Sequence, residues 1–219
     1  MALALFDLDR TLIGVNSGRL WFEREQELGF LTRWQALRAA AWIGFYHLGF
    51  TRLDEVLAEA IAGLEGSLEA DIERRTNDFY AATVASTYRP LAAAVVERHR
   101  AQGDVVALLT SSSNYLCALV QAKLDIPHAL CNRFEVADGR FTGKPAGALC
   151  YGAGKLVHAR QFAEQVGASL AEAWFYTDSM SDLPVLEEVG HPVAVNPDPR
   201  LRRYAQKKGW EIVDWGEVG

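Results

Sequence analysis

The chain has 219 residues, half of them hydrophobic and 23% charged. That balance suits one globular domain with an insert, or two small domains, and excludes a mostly disordered chain. A formal net charge of −6 leaves no basic footprint, so no nucleic-acid partner is expected.

The N-terminal run MALALFDLDRTL has no basic leader and meets two acids by Asp9, so it predicts a strand rather than a signal peptide. Ala2–Phe6 is the first of four short, continuous apolar runs; the others are Val105–Leu109, Ala173–Tyr176 and Pro192–Val195. Such runs suit strands buried on both faces, as parallel strands are, although periodicity alone does not separate them from buried helix. Residues 14–88 contain no convincing strand. Thr51 there can cap a helix whose Leu53, Val56, Leu57, Ala60, Ile61 and Leu64 recur at helical spacing. Trp21, Phe22, Trp34, Trp42, Phe45 and Tyr46 crowd the first part of that region. The longest apolar stretch, Ala39–Phe50, holds His47 and two glycines and is too short to span a bilayer.

Further along, Pro90 suits a helix first turn, with Leu91, Val95 and Val96 following before Gly103. Asp138-Gly139 between apolar positions predicts a β-hairpin over Glu135–Thr142. Leu156, Ala159, Phe162, Ala163 and Val166 keep one helical face up to Gly167, and Leu183, Val185, Leu186 and Val189 repeat the theme. The expected fold is α/β, a doubly wound, mostly parallel, Rossmann-like sheet. Its core would be discontinuous, residues 1–13 and 89–219, with 14–88 inserted as an α-helical cap.

Cys117, Cys131 and Cys150 form no CxxC pair and are expected to be buried free thiols in a cytoplasmic, reducing setting. A cysteine-phosphatase loop needs Arg six residues after its nucleophile, where this chain has Lys123, Ala137 and Leu156. A P-loop ending at Gly154-Lys155 fails too, because Leu149 and Leu156 stand where Gly and Ser or Thr are required.

In open α/β sheets, ligands bind beyond the carboxyl ends of the strands. The predicted ends here carry Asp7 and Asp9, then Thr110 and Ser111, then Asp178 and Asp182. Gathered acids raise one another's pKa unless a cation sits among them, and carboxylate oxygens suit Mg2+. Each element also has a plainer explanation. Asp7 and Asp9 can serve a turn, and Thr110 and Ser111 a helix N-cap. Asp178 and Asp182 can be acids at a helix start, and Lys155 an exposed lysine. Lys155 opens a helix, where its charge opposes the dipole, which hints at an anionic partner.

Taken in order, these residues resemble the haloacid dehalogenase superfamily, specifically its phosphoserine-phosphatase-like branch with a helical cap after the first strand. Asp7-Leu-Asp9-Arg-Thr11 matches the first motif, Thr110 and Ser111 the second, Lys155 the third, and Asp178-Ser-Met-Ser-Asp182 the fourth. The resemblance implies a Mg2+-dependent phosphomonoester hydrolase with an aspartyl-phosphate intermediate. It makes Asp7 the nucleophile and Asp9 the acid and base. Asp7, the Asp9 carbonyl and Asp178 would hold the metal. Thr110, Ser111 and Lys155 would bind phosphate, Asp182 would hold a metal-bound water or Lys155, and Thr11 would orient the first-motif loop.

Two departures stand out. The family's phosphoserine phosphatases carry a substrate-gripping glutamate where this chain has Asn16, leaving Glu23 or Glu25 to replace it. Thr177 and Ser181 also depart from the usual fourth motif. Asn16, Ser17, Arg19, Arg24 and Arg52 are candidates to meet substrate. The aromatic stretch 20–50 is expected to form cap core, or else a homodimer surface or an apolar-substrate wall. The expected partner is a small phosphorylated metabolite, a phosphoserine-like compound first and histidinol phosphate or a sugar phosphate next. The competing classes are a receiver-like phospho-aspartate signalling module and a weakly catalytic protein that binds a partner.

Overall fold

A computed structural model describes residues 2–30 and 53–217 of the chain. Six strands form one parallel sheet: β1 (Leu3–Phe6), β2 (Val105–Ser113), β3 (His128–Asn132), β6 (Trp174–Thr177), β7 (His191–Val195) and β8 (Glu211–Val213). Their spatial order is β3-β2-β1-β6-β7-β8. A separate antiparallel pair is made by β4 (Phe134–Ala137) and β5 (Arg140–Pro145).

The central strand explains its own sequence. All four residues of β1 are fully buried, so neither face admits a polar side chain. Alternation then divides them between two cores. Ala4 and Phe6 join Val106, Leu108, Tyr176, Val193 and Val195 on one face. Leu3 and Leu5 join Ala107, Leu109, Phe175 and Ala194 on the other. The two strands that the apolar pattern did not predict, β3 and β8, are the sheet's edges. Both are partly exposed, so they lack a continuous apolar run.

Eight α-helices complete the described chain. Four lie between β1 and β2, the first three being α1 (Ser17–Glu27), α2 (Leu53–Ala62) and α3 (Glu69–Phe79). A π-helical turn, Tyr80–Val84, follows them. The rest alternate with strands: α4 (Ala92–Ala101), α5 (Asn114–Leu124), α6 (Ala153–Val166), α7 (Leu183–Leu186) and α8 (Pro199–Lys208). Helix α4 starts two residues after Pro90, and α7 ends before Val189. Asp138 and Gly139 both take positive φ, 50° and 72°, as a two-residue hairpin turn requires.

The segments leading into and out of the β1–β2 helical stretch pair with each other. Gly14 N–H donates to the Thr87 carbonyl at 2.8 Å and Arg89 N–H to the Leu12 carbonyl at 2.9 Å. The hairpin reaches across to the same stretch, where Gly66 N–H donates to Phe141 O and Phe141 N–H to Ser67 O. Trp21 packs edge-on against Phe79 at 5.4 Å. Thr51, Arg52, Trp34, Trp42, Phe45 and Tyr46 lie outside the described residues. No helix among the described residues is long and apolar enough to cross a membrane.

Candidate active site

Strand order reverses between β1 and β6, and such a switch point opens a crevice at the carboxyl edge of the sheet. Phe6 pairs in register with both Leu108 and Tyr176, and Asp7 N–H donates to the Tyr176 carbonyl at 2.9 Å. Asp7 therefore emerges beside Thr177 and Asp178, with Thr110 on its other flank.

Lys155 joins this edge from the first turn of α6. It is 2% exposed, with Nζ 2.9 Å from Asp7 Oδ1 and 2.8 Å from Asp182 Oδ2. Thr177 Oγ1 donates to the same Asp182 oxygen at 2.6 Å. The adverse helix position of this lysine is thus outweighed by two carboxylates. Of the two partners expected for Asp182, Lys155 is one that it meets.

The Asp9 carboxylate reaches the N-terminus of α1. Its Oδ1 accepts from Ser17 N–H at 2.7 Å, and Ser112 Oγ lies 3.5 Å from Oδ2. The helix N-terminus favours negative charge there.

Four acids and one ammonium share this space, and burial is the first cause of displaced titration in three of the acids. Burial raises Asp7 to about 7 despite Lys155, with Asp182 and Asp9 pushing the same way. Burial, then the charges of Asp7 and Asp182, raise Asp178 to about 8, opposed by Arg10 and Lys155. Burial also raises Asp9 against its bonds from Ser17. Lys155 moves up, because the charges of Asp182 and Asp7 overcome its desolvation.

This surplus of buried negative charge fits a hard divalent cation held by oxygen donors. Among the described residues, no three His, Cys, Asp or Glu side chains form a ready metal cage. Asp7 and Asp178 are carboxylates that could hold such an ion, with other oxygens completing its shell.

Other expected residues are placed differently. The helix after β2 begins at Asn114, capped by Ser113 Oγ, so Thr110 and Ser111 are not helix caps. Both belong to the strand end, where the β2–β3 register shifts between Leu109 and Ser113. Asp178 and Asp182 do not share one α-helical turn either; Asp182 ends a short 3-10 turn, Met180–Asp182, that starts after Asp178.

Asn16 caps α1, its Oδ1 accepting from Arg19 N–H at 2.8 Å. Arg19 is exposed and bonds Glu23 at 2.7 Å, while Glu25 is buried against Arg75. The Glu23 pair is exposed, whereas Glu25 Oε1 is buried without a hydrogen-bond partner among the described residues. Thr11 is fully buried, and its Oγ1 has no hydrogen-bond partner among the described residues.

Sequence reading passed over Ser112, had Thr177 only as a departure from the fourth motif, and had Ser17 only as a substrate contact. The hydroxyl run Thr110–Ser113 was the available signal for Ser112. Asn132, whose carboxamide reaches Ser111 O at 2.6 Å, carried no signal at all.

A family model described as haloacid dehalogenase-like hydrolase matches residues 4–187. Phosphoserine phosphatase SerB1 of Mycobacterium tuberculosis is 32% identical over 226 residues, covering 98% of this chain and 71% of that protein. A histidinol-phosphatase of Neisseria meningitidis serogroup C is 28% identical, covering 97% of this chain and 98% of the relative. Among solved structures, a protein of unknown function from Bordetella pertussis Tohama I matches with a TM-score of 0.90 at 30% identity, covering 98% of each chain. The chain therefore belongs to the haloacid dehalogenase-like hydrolase family, in its phosphoserine-phosphatase-like branch, and is a hydrolase of the phosphatase type.

Proposed function

We propose that this chain hydrolyses a small phosphorylated metabolite through an aspartyl-phosphate formed on Asp7. One observation supports the reading above the others: Asp7, Lys155 and Asp182 form a buried, hydrogen-bonded line at the sheet's switch point. A carboxylate nucleophile divides one hard displacement into two easier ones. Asp7 attacks phosphorus while Asp9 donates its proton to the leaving alkoxide, a role that its raised pKa favours. Asp9 then takes a proton from the water that attacks the aspartyl-phosphate, which releases phosphate and restores Asp7.

Thr110, Ser111 and Lys155 bind the phosphoryl oxygens and oppose the charge that develops on them. Asp7, the Asp9 carbonyl and Asp178 would hold Mg2+, which when bound supplies positive charge that orients the phosphate and keeps the carboxylates ionised. Asp182 and Thr177 fix the Lys155 ammonium. The helical insert at 14–88 acts as a cap that shields the site from water.

The substrate class is a small phosphomonoester of the kind that the two named relatives act on, a phosphorylated amino acid or amino alcohol. Asn16 is spent on the α1 cap, so it does not grip a substrate ammonium as a glutamate would.

The test is hydrolysis of an aryl phosphate with Mg2+, followed by a panel of phosphorylated metabolites. EDTA and Asp7→Asn are each expected to remove turnover, by about a thousandfold or more. Full activity in Asp7→Asn overturns the nucleophile assignment.

A further inference from the structure

The segment Thr110–Ser112 leaves the sheet in an unusual way. From Leu109 to Ser113, strand β2 advances four residues while its partner β3 advances only from Leu130 to Asn132. The surplus residues bulge out of the ladder, and their peptide groups lose strand partners. Asn132 stands at the end of β3 opposite this bulge and is 3% exposed. Its Nδ2 donates to the Ser111 carbonyl at 2.6 Å, and its Oδ1 accepts from Cys150 N–H at 2.8 Å. The partners dictate the carboxamide's orientation: a carbonyl can only accept, and a backbone N–H can only donate.

A trans peptide points its C=O and N–H in opposite directions. With the Ser111 carbonyl drawn toward Asn132, the N–H of the same peptide, on Ser112, faces the other way. There it donates to Thr110 Oγ1 at 3.3 Å. The other end of the carboxamide holds Cys150, which leads into the α6 turn that carries Lys155. That approach is close-packed, because a Cβ on Gly154 would lie 2.0 Å from the Leu149 carbonyl.

We propose that Asn132 is a positioning residue for the phosphate site. It turns the Ser111–Ser112 peptide so that an N–H, not a carbonyl dipole, lies on the side of Thr110, and it ties that loop to the segment that delivers Lys155. The inference rests on Thr110 and Ser111 binding phosphate, as proposed above. Reversal of this peptide would set a carbonyl oxygen against the anion, where backbone donors are most effective.

Asn132→Asp is the discriminating variant, since a carboxylate still accepts from Cys150 N–H but repels the Ser111 carbonyl. Asn132→Leu removes both bonds. In the full chain, aryl-phosphate turnover with Mg2+, competitive inhibition by inorganic phosphate, thermal unfolding, and amide exchange at Ser112 and Cys150 are compared. For Asn132→Asp, kcat/KM falls and the inhibition constant for phosphate rises, each by about tenfold or more. Ser112 exchanges faster in this variant while Cys150 stays protected; in Asn132→Leu both amides exchange faster. The proposal is overturned if Asn132→Asp binds phosphate within twofold of the native chain, or if Ser112 exchange is unchanged. It is likewise overturned if lost activity merely tracks lost folded protein. A native chain that neither hydrolyses aryl phosphate nor binds phosphate overturns the phosphatase reading instead, and Ser112 exchange in Asn132→Asp still decides whether Asn132 sets the peptide.

Discussion

Two buried ion pairs, one in the sheet region and one among the helices between β1 and β2, show how differently this chain uses charge. At the sheet edge, Lys155 lies between Asp7 and Asp182, and Thr177 supplies a further bond. The site's acids outnumber its cation, and burial, then mutual repulsion, raises Asp7 and Asp178. In the helical stretch, Glu25 of α1 meets Arg75 of α3. The Arg75 guanidinium also lies over the Phe30 ring at 4.2 Å and that of Trp21 at 5.9 Å. There Arg75 and Arg24 both offset the one carboxylate, and the Arg75 pair lies in a largely aromatic setting. The first arrangement leaves carboxylates short of a cation and ready for chemistry; the second joins two helices.

Breaking each pair tests that distinction. Lys155→Met should have the largest effect. It leaves buried carboxylates uncompensated, lowering stability by roughly 3–5 kcal/mol, and turnover should fall by a hundredfold or more (order of magnitude). Pairing it with Asp182→Leu should recover much of the stability, measured by urea unfolding, but none of the activity. Recovered activity would show that the pair is only structural. Arg75→Met should cost about 3 kcal/mol by the same mechanism, with kcat on a small aryl phosphate changed by less than about fivefold. A larger loss in kcat than in stability would show that the α1–α3 contact reaches the chemistry.

The smallest effect is in pH. Asp7 and Asp178 titrate near 7 and 8 in the fold, above the ordinary carboxyl value near 3.8. Protons are therefore held more tightly folded than unfolded, and the stability this confers disappears as pH rises through those values. His99 opposes this at lower pH. Burial between Tyr176 and Asp104 depresses it, so its contribution is lost as pH falls. The cleanest window is thus pH 6.5 to 8, where metal-free protein should lose about 2–4 °C in Tm. Added Mg2+ should reverse the loss, and EDTA should restore it. A flat Tm across that window would argue against a surplus of buried carboxylates.

Much of the sheet region was legible from sequence because burial on both faces leaves an uninterrupted apolar run. Leu3–Phe6 and Trp174–Thr177 announce themselves in this way, and Asp-Gly marks the hairpin. Edge strands do not, since Glu211–Val213 has too few buried residues to stand out. The acids Asp7, Asp9, Asp178 and Asp182 were visible because they end or follow apolar runs. Asn132 and Ser17 were harder to place, since an asparagine or serine has many uses and only its bonded neighbours reveal which one applies.

Sequence alone placed Asp7, Thr110 and Asp178 at the carboxyl ends of buried strands, because solvent exclusion and side-chain alternation are local rules. Tertiary structure decided the rest. It set the register that brings Asp7 beside Asp178, the depth at which Lys155 is stripped of water, and the bulge that Asn132 fills. Those depend on distances between separate segments, 21 residues apart for Asn132 and Ser111 and 148 for Lys155 and Asp7, and electrostatic coupling and hydrogen bonding exist only once those distances are closed.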